Sequence, residues 1–380
     1  MDSLKEKLIA TIKVPKISPQ DWLKNRRSWP LLDVRSEGEF LEGHLPDSIT
    51  APILNNEERH QVGLTYKQKG QEAAIALGLA LVAPHKQKRI EHWLKHLESS
   101  VAVTCWRGGL RSRFASGWLE ETVGNKLNIV QIAGGYKAIR RQLLIEIAAQ
   151  RPMLILGGMT GSGKTRLLQE LSVDKDFPGR QIIDLESMAK HRGSSFGGLL
   201  ADLGKVVEQP RQQTFENSLG LGLFDAKGPV VLENESSLIG RVFIPQNFRV
   251  QMKQAPLIIL EAPMHERISF IFKEYIEEPI KAQCPIPRLW EILGQNLKAL
   301  EKRLGGKETA RALKLLEEGG TSPLDLERQS PWIELLLVQY YDKAYSYALT
   351  RSQQKVTFKG NALEMKEWLN KTLVERKNHV

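Results

Sequence analysis

Two Gly-rich loops in this chain carry residue types that bind and activate phosphorus compounds. The first, TCWRGGLRS at residues 104–112, places Cys105 at the start of a loop that contains two arginines. The second, GGMTGSGKT at residues 157–165, ends in a Lys-Thr pair. A thiolate beside cations is suited to nucleophilic group transfer, and the second loop is suited to holding a di- or triphosphate. Their combination in one chain predicts an enzyme of group transfer.

The cysteine loop follows an apolar run, SVAVTC, and precedes a stretch with apolar residues at helical spacing. This context predicts that the Cys105 sulfur lies at a helix N-terminus, among loop N–H groups, with Arg107 and Arg111 nearby. Positive charge and a helix N-terminus both stabilise a thiolate. Cys105, Arg107 and Arg111 are therefore the predicted catalytic residues, whereas Cys284 has no such neighbours and is interpreted as structural.

The second loop, residues 158–165, fits the phosphate-binding pattern GxxxxGK[ST] in full, with an apolar strand before it and a helical stretch after it. Its glycines allow backbone N–H groups to converge on phosphate oxygens, and Thr165 is placed to hold Mg²⁺. Nothing in the loop itself requires nucleotide hydrolysis. The predicted phosphate-binding residues are Gly158, Gly161, Ser162, Gly163, Lys164 and Thr165.

Three carboxylates follow apolar strands of the same region and are candidates for acid–base work or for Mg²⁺. Asp184 ends QIID, and Glu233 and Glu235 follow VVL. The alternative interpretation is a helix cap or a strand end with no catalytic duty. A polar loop, KHRGSSFGG, is a candidate to contact substrate or merely to connect, and its residues of interest are His191, Arg192, Ser194 and Ser195. No group of His and carboxylates has typical metal-ligand spacing.

The elements that must position these residues alternate between apolar strand-like runs and amphipathic helices. This alternation predicts an α/β protein with parallel sheets covered on both faces. We expect a first domain over residues 1–145 with a helical insertion at about 55–99, and a phosphate-binding domain over 151–290. A mostly helical region, residues 291–380, is expected to pack on the second domain. The boundary is placed at Pro152, where the closing helix of the first domain must stop.

Composition narrows the classes of partner, cellular compartment and membrane association that fit this chain. The 380 residues carry 54 Lys and Arg against 44 Asp and Glu, a formal net charge of +10, which favours a polyanionic partner such as RNA. Two cysteines cannot build a disulfide framework, which suggests a reducing compartment. The longest apolar stretch, residues 73–83, is about half of the roughly 20 residues that cross a bilayer. No signal peptide is evident, so we expect a cytoplasmic protein.

A family resemblance accompanies these motifs. LLDVRSEGEFLEGHLPDSITAPI, the cysteine loop and IAGGYKAI resemble the rhodanese sulfurtransferase domain over residues from about 15 to about 140. The last arginine, Arg111, lies six residues after the cysteine rather than the five usual in that family. Together with NNEERHQVGLTYKQKG, GGMTGSGKT, DLESMAKHRGSSFGG and ENESSLIGRVFIP, the loop resembles the tRNA 2-selenouridine synthase family over essentially the entire chain.

That resemblance implies an activity and a set of substrates. It implies exchange of sulfur for selenium in wobble 2-thiouridine of tRNA, with selenophosphate as selenium donor and geranyl diphosphate forming an S-geranyl intermediate. Cys105 would carry selenium as a selenosulfide, and its arginines would neutralise the departing phosphate. The loop at 158–165 would hold the diphosphate of geranyl diphosphate. No tightly bound cofactor is expected, Mg²⁺ is a candidate, and the basic faces of the C-terminal helices would hold tRNA.

Two other functions fit parts of the pattern. The spacing C(x)5R(S/T) is also that of cysteine phosphatases, which suggests a nucleotide-dependent kinase or phosphatase; Thr104, where many such enzymes have His, weakens this reading. A non-catalytic persulfide sensor coupled to a nucleotide switch is the second alternative, and turnover on tRNA separates it from an enzyme. The residues alone leave open whether the 158–165 loop binds geranyl diphosphate or a nucleotide, and which oligomer forms.

Overall fold

A computed structural model of the chain describes residues 12–174, 181–191 and 208–377. The chain divides into two compact units, residues 1–146 with 216–218 and residues 147–215 with 219–380. Each unit contains a five-stranded parallel sheet flanked by helices, so the predicted α/β class is confirmed. Among the described residues, no helix combines the length and apolarity that a membrane crossing needs.

The sheet of the first unit brings the carboxyl ends of its central strands to one edge. Its strand order is β1-β5-β4-β2-β3. Asp33 at the end of β2 pairs in register with Thr104 at the end of β4, so the residues that follow each strand emerge side by side. The strands are β1 Lys16–Ile17, β2 Leu31–Asp33, β3 Ile49–Thr50, β4 Ser100–Thr104 and β5 Asn128–Ile132.

Helices cover this sheet, and the segment expected as a helical insertion is helical throughout most of its length. The longest helix, α3, is interrupted at Gly70, whose φ of 83° is open to glycine at little cost. The helices are α1 Pro19–Asn25, α2 Glu37–Glu42, α3 Asn56–Val82, α4 Lys86–Leu94, α5 Leu110–Val123 and α6 Gly135–Ala148, with 3₁₀ turns at Ala83–His85 and Gly124–Lys126.

The sheet of the second unit has the order β12-β11-β6-β8-β7, and a short antiparallel pair, β9 and β10, lies outside it. The C-terminal region, expected to be mostly helical, contributes the edge strand β12. The strands are β6 Met153–Gly157, β7 Ile182–Ile183, β8 Val230–Glu233, β9 Leu238–Ile239, β10 Val242–Phe243, β11 Leu257–Leu260 and β12 Val356–Gly360.

Apolar side chains bury both faces of this second sheet, which explains why β6, β8 and β11 are apolar without alternation. The last helix, α18, packs Met365, Leu369 and Leu373 onto one face. The helices are α7 Lys164–Val173, α8 Leu185–Ala189, α9 Gln212–Asp225, α10 Gln246–Gln254, α11 Met264–Phe272, α12 Glu278–Lys281, α13 Ile286–Ala299, α14 Glu301–Leu304, α15 Gly306–Gly319, α16 Leu326–Leu336, α17 Asp342–Arg351 and α18 Ala362–Lys377, with π-helical turns at Lys273–Glu277 and Leu337–Tyr341.

Candidate functional site

The sulfur of Cys105 lies in a cradle formed between the end of β4 and the start of α5. Its side chain is only 3% exposed. The backbone N–H of Gly109 donates to Sγ at 3.2 Å, and the Ser112 hydroxyl lies 3.2 Å from the same sulfur. Hydrogen-bond donors around a sulfur stabilise its anionic form. The predicted placement of the sulfur among loop N–H groups, at the entrance to a helix, agrees with this geometry.

Glycine at two positions of the first unit permits the tight fold of this cradle. Gly135 has φ 64°, and a Cβ atom there would lie 2.2 Å from the carbonyl oxygen of Cys105. Gly108 has φ 63°, and its Cβ atom would lie 2.6 Å from the Ile132 carbonyl oxygen. The N–H of Tyr136 then donates to the Cys105 carbonyl at 2.9 Å. The IAGGY segment therefore fixes the cysteine loop from behind.

Gln131 on β5 supports the cradle from the sheet. Its side-chain amide donates to the Ser112 hydroxyl at 2.7 Å and to the carbonyls of Gly108 and Gly109 at 3.1 and 3.2 Å. Because the Gln131 amide donates to the Ser112 oxygen, that oxygen acts as the acceptor in this bond. The Ser112 hydroxyl proton can then point to the Cys105 sulfur or to the Gly109 carbonyl. Gln131 and Ser112 thus act together to orient a donor toward Cys105.

Arg111 is held beside the cradle by a carboxylate that the sequence interpretation had not singled out. Its guanidinium makes two hydrogen bonds to Glu39, at 2.5 and 3.0 Å. Glu39 also contacts the Arg59 side chain at 3.0 Å. Burial opposes ionisation of Glu39, yet hydrogen bonding and charge from Arg111 outweigh it, and the pKa of Glu39 lies below its ordinary value. Arg107, in contrast, lies exposed on the loop.

The second predicted loop connects β6 to α7 and has the conformation of a phosphate cradle. Three of its glycines, Gly158, Gly161 and Gly163, have φ of 152°, 80° and 83°. The Lys164 ammonium donates to the carbonyl of Gly158 at 2.9 Å, so the lysine side chain folds back over the loop. The Ser162 hydroxyl is buried and has no hydrogen-bond partner among the described residues. Backbone N–H groups and a lysine at a helix N-terminus form an anion site.

Three carboxylates converge next to this loop. Candidate ligand oxygens of Glu186, Glu233 and Glu235 all lie within 4.8 Å of one another. The Thr165 hydroxyl donates to Glu186 at 3.1 Å, which connects the cluster to the phosphate loop. Glu233 is 1% exposed, and its Oε1 atom is buried with no hydrogen-bond partner in the part of the chain that the structure describes. Since a buried carboxylate oxygen is costly to leave unpaired, this cluster fits a cation.

Burial and mutual repulsion raise the pKa values of two carboxyl groups of the cluster, Glu233 and Glu235. Burial, with the charge of Glu186, raises the pKa of Glu235 to about 7, although Lys164 opposes the shift. Burial and the charges of Glu186 and Glu235 raise the pKa of Glu233 well above its ordinary value. Glu233 and Glu235 therefore hold protons at pH values at which an ordinary carboxyl group is ionised, and a bound cation would displace them.

The other predicted residues have different positions. Asp184 caps α8, where its carboxylate accepts from the Ser187 N–H at 2.8 Å, and burial raises its pKa. Glu186, two residues further along, is the residue that faces the cluster. His191 lies just after α8, and its backbone N–H donates to the Glu186 carbonyl at 3.1 Å. The predicted residues Arg192, Ser194 and Ser195 lie outside the described residues.

Four residues of the two sites had not been selected from sequence: Glu39, Ser112, Gln131 and Glu186. A signal existed for two of them. Ser112 is the final position of the C(x)5R(S/T) pattern, and Glu39 completes a capping box with Ser36 at the start of α2. Gln131 and Glu186 carry no comparable local signal, because their roles depend on contacts with distant segments.

Comparisons with known proteins extend over nearly the whole chain. Residues 151–376 match the family described as the tRNA 2-selenouridine synthase AAA domain, and residues 19–142 match the rhodanese-like domain. Three proteins called tRNA 2-selenouridine synthase are each 38% identical to this chain. The protein from Marinobacter nauticus aligns with 89% of this chain and 93% of its own length. For the protein from Shewanella sediminis these shares are 90% of this chain and 93% of its own length. For the protein from Hydrogenovibrio crunogenus they are 90% of this chain and 95% of its own length. A cysteine cradle in a rhodanese-like unit and a phosphate loop in the matching second unit place this chain in the tRNA 2-selenouridine synthase family.

Proposed function

We propose that this enzyme converts 2-thiouridine at the wobble position of tRNA to 2-selenouridine in the cytoplasm. Geranyl diphosphate first alkylates the sulfur, and selenium from selenophosphate then replaces the S-geranyl group. The observation that carries the proposal is the presence, in one chain of this family, of a thiol cradle and a separate phosphate loop. Alkylation releases diphosphate and therefore needs the phosphate loop. Exchange breaks a phosphorus–selenium bond and therefore needs the thiol cradle.

The phosphate loop is assigned to the alkylation step. The thiouridine sulfur attacks C1 of the geranyl group, the C1–O bond breaks, diphosphate leaves, and N3 of the base loses its proton. Loop N–H groups and the Lys164 ammonium stabilise the charge that develops on the leaving diphosphate. The buried Ser162 hydroxyl, which has no partner within residues 12–174, 181–191 and 208–377, is available to the same oxygens.

The acidic cluster beside the loop is assigned to a divalent cation, for which Mg²⁺ suits the all-oxygen ligands. Glu186, Glu233 and Glu235 would hold it, and the unpaired Glu233 oxygen supports the fit. When bound, the cation supplies positive charge that neutralises diphosphate. The carboxylates themselves position it, and Glu186 orients the Thr165 hydroxyl.

Stability measurements with and without Mg²⁺ test this assignment. Because the folded pKa of Glu233 and of Glu235 is raised, their stabilising contribution is present below the ordinary carboxyl range and is lost as pH rises, for Glu235 through about 7. We therefore expect the metal-free protein to melt at a lower temperature at pH 8 than at pH 6. Mg²⁺ at about ten times its dissociation constant should raise Tm by roughly 3–6 °C at pH 8, and by less at pH 6.

Glu233→Gln should raise the metal-free Tm at pH 8 and remove the Mg²⁺ response, because it removes one of the repelling charges and one ligand. Glu317→Gln, an exposed position on α15, is the matched control and should leave the response intact. An equal Mg²⁺ shift in Glu233→Gln and in the unmodified protein would contradict the assignment.

The cysteine cradle is assigned to selenophosphate, and electron balance defines the thiolate's role. Selenium stands at the selenide level in both selenophosphate and 2-selenouridine, whereas a selenosulfide on Cys105 would require two-electron oxidation and later reduction. In a series of steps that keeps selenium at the selenide level, the Cys105 thiolate attacks phosphorus, the P–Se bond breaks, and hydroselenide leaves. Water then cleaves the S–P bond and releases phosphate. Arg111 neutralises the phosphoryl oxygens, and the Ser112 hydroxyl is placed to donate a hydrogen bond to the sulfur.

Hydroselenide completes the exchange at the base. Selenium bonds to C2 as the C2–S bond breaks, geranylthiolate leaves and takes a proton from water, and N3 regains its proton. The net reaction consumes S-geranyl-2-thiouridine, selenophosphate and water, and gives 2-selenouridine, geranylthiol and phosphate. It requires no oxidant or reductant.

Nucleoside mass spectrometry of 2-thiouridine tRNA tests the proposal. The purified protein is incubated with geranyl diphosphate alone, selenophosphate alone, or both. We expect S-geranyl-2-thiouridine with the first, unchanged 2-thiouridine with the second, and 2-selenouridine with both. Unchanged 2-thiouridine under every condition, with substrates of verified activity, would refute it and redirect attention to ATP turnover and phosphatase activity.

A further inference from the structure

An apolar pocket of about 550 Å³ lies within the first unit, against the cysteine cradle. Helix α3 and the start of α5 form its walls, with Val62 and Leu79 from the former and Phe114 and Trp118 from the latter. The volume falls within the range of small-molecule sites. Arg111, which lies six residues after Cys105 in the cysteine loop, also lines the pocket. A ligand in this pocket therefore extends to the reacting loop.

Part of the apolar surface along this pocket is exposed among the residues that the structure describes. Leu64 and Tyr66, both part of its lining, are 42% and 57% exposed. The Gly70 interruption divides α3 into two halves that contact each other. A Cβ atom on Gly78, in the second half, would lie 3.6 Å from the side chain of Val62, in the first half. The helical insertion thus folds back on itself and presents an apolar wall instead of burying it.

Cationic side chains accompany these apolar walls. Arg59 and Lys67 line the pocket together with Arg111. Glu39 contacts both Arg59 and Arg111, which joins the insertion to the cradle through one carboxylate. The combination suits a ligand with a long hydrocarbon chain on one side and phosphates on the other. An S-prenylated nucleotide within RNA has this chemistry.

We propose that this pocket binds the geranyl chain of the S-alkylated wobble base while selenium is exchanged at the cysteine cradle. The inference rests on the proposed function and adds to it a binding site for the intermediate, separate from the phosphate loop that serves its synthesis. Binding the chain places the C2–S bond at the cradle, and it selects the alkylated base over unmodified 2-thiouridine.

Gly63 offers a way to fill the pocket with little risk to folding. It lies on α3 in the pocket lining, and a Cβ atom there would meet no atom of the other described residues within 4 Å. Leucine is also a better helix former than glycine. Gly63→Leu should therefore fold and occupy space that the chain needs. Ala76→Leu adds a side chain at an exposed position of the same helix outside the pocket lining and is the matched control.

The experiment measures binding and single-turnover exchange with two anticodon stem-loops, one bearing S-geranyl-2-thiouridine and one bearing S-methyl-2-thiouridine. The unmodified protein should bind and exchange the geranyl form roughly tenfold to a hundredfold better. In Gly63→Leu this preference should fall at least about tenfold, whereas Ala76→Leu should keep it.

The outcomes separate the pocket from the proposed function. Preferential binding of the geranyl stem-loop that Gly63→Leu removes, without any exchange, would support the pocket and refute the proposed reaction. Exchange with no preference for the longer chain, or with a preference that Gly63→Leu retains, would overturn the pocket and leave the reaction standing. Failure of both stem-loops to bind would overturn the pocket as well.

Discussion

Replacing Cys105 with serine is expected to lower conversion of S-geranyl-2-thiouridine to 2-selenouridine by at least about a thousandfold while alkylation continues. The hydroxyl of serine is a much weaker nucleophile than a thiolate, and the Gly109 N–H and Arg111 have no anionic sulfur to act on. The variant should therefore accumulate S-geranyl-2-thiouridine when both substrates are supplied. Quantitative nucleoside mass spectrometry of the tRNA measures both species in one sample.

Cys284→Ser provides the matched control, because Cys284 is the other cysteine of the chain and is buried in the second unit, where its thiol donates to the Pro285 carbonyl at 3.5 Å. It should leave both steps close to those of the unmodified protein. Selenouridine formation by Cys105→Ser at an undiminished rate would show that the thiol takes no part in the exchange.

Replacing Lys164 with alanine is expected to lower the rate of alkylation by about a hundredfold to a thousandfold. The lysine supplies positive charge at the glycines of the phosphate loop, where its ammonium already lies 2.9 Å from the Gly158 carbonyl. Without it, the charge that develops on the departing diphosphate is left to the backbone N–H groups, the Ser162 hydroxyl and the cation of the acidic cluster. Initial rates of S-geranyl-2-thiouridine formation from geranyl diphosphate measure the effect.

Selenium exchange should proceed in Lys164→Ala when tRNA that already bears S-geranyl-2-thiouridine is supplied. Arg166→Ala removes a positive charge from the exposed side of the same helix and should have little effect on alkylation. If Lys164→Ala alkylated tRNA normally but lost exchange, the assignment of steps to the two sites would have to be reversed.

The architecture was predictable where the apolar pattern of a segment matches its position in the folded sheet. Strands β6, β8 and β11 are apolar without interruption and alternate with helical segments, which is typical of a parallel sheet buried on both faces. Strand β12 was not predicted. Its residues alternate between partly buried and exposed at the edge of the sheet, and it forms by pairing with β11, a partner about 100 residues away. Local pattern carries little information about such an edge.

The sites were predictable to the extent that each depends on a contiguous loop. In the structure Cys105 lies in the loop before α5 and Lys164 is the first residue of α7, and both positions follow from the direct succession of strand, loop and helix. Glu39 and Glu186 join those loops from other segments, so only folding brings them to Arg111 and Thr165. Asp184 was selected for its position after β7, but its side chain caps α8, and the cluster begins two residues later.

The most direct test of the two-step account is a single-turnover chase of isolated tRNA that bears S-geranyl-2-thiouridine. The enzyme and selenophosphate are added without geranyl diphosphate, and 2-selenouridine and geranylthiol are quantified over time. The account predicts that the two products appear together at a ratio of one to one. Formation of 2-selenouridine without geranylthiol, or retention of the S-geranyl group while added 2-thiouridine tRNA is converted, would contradict it.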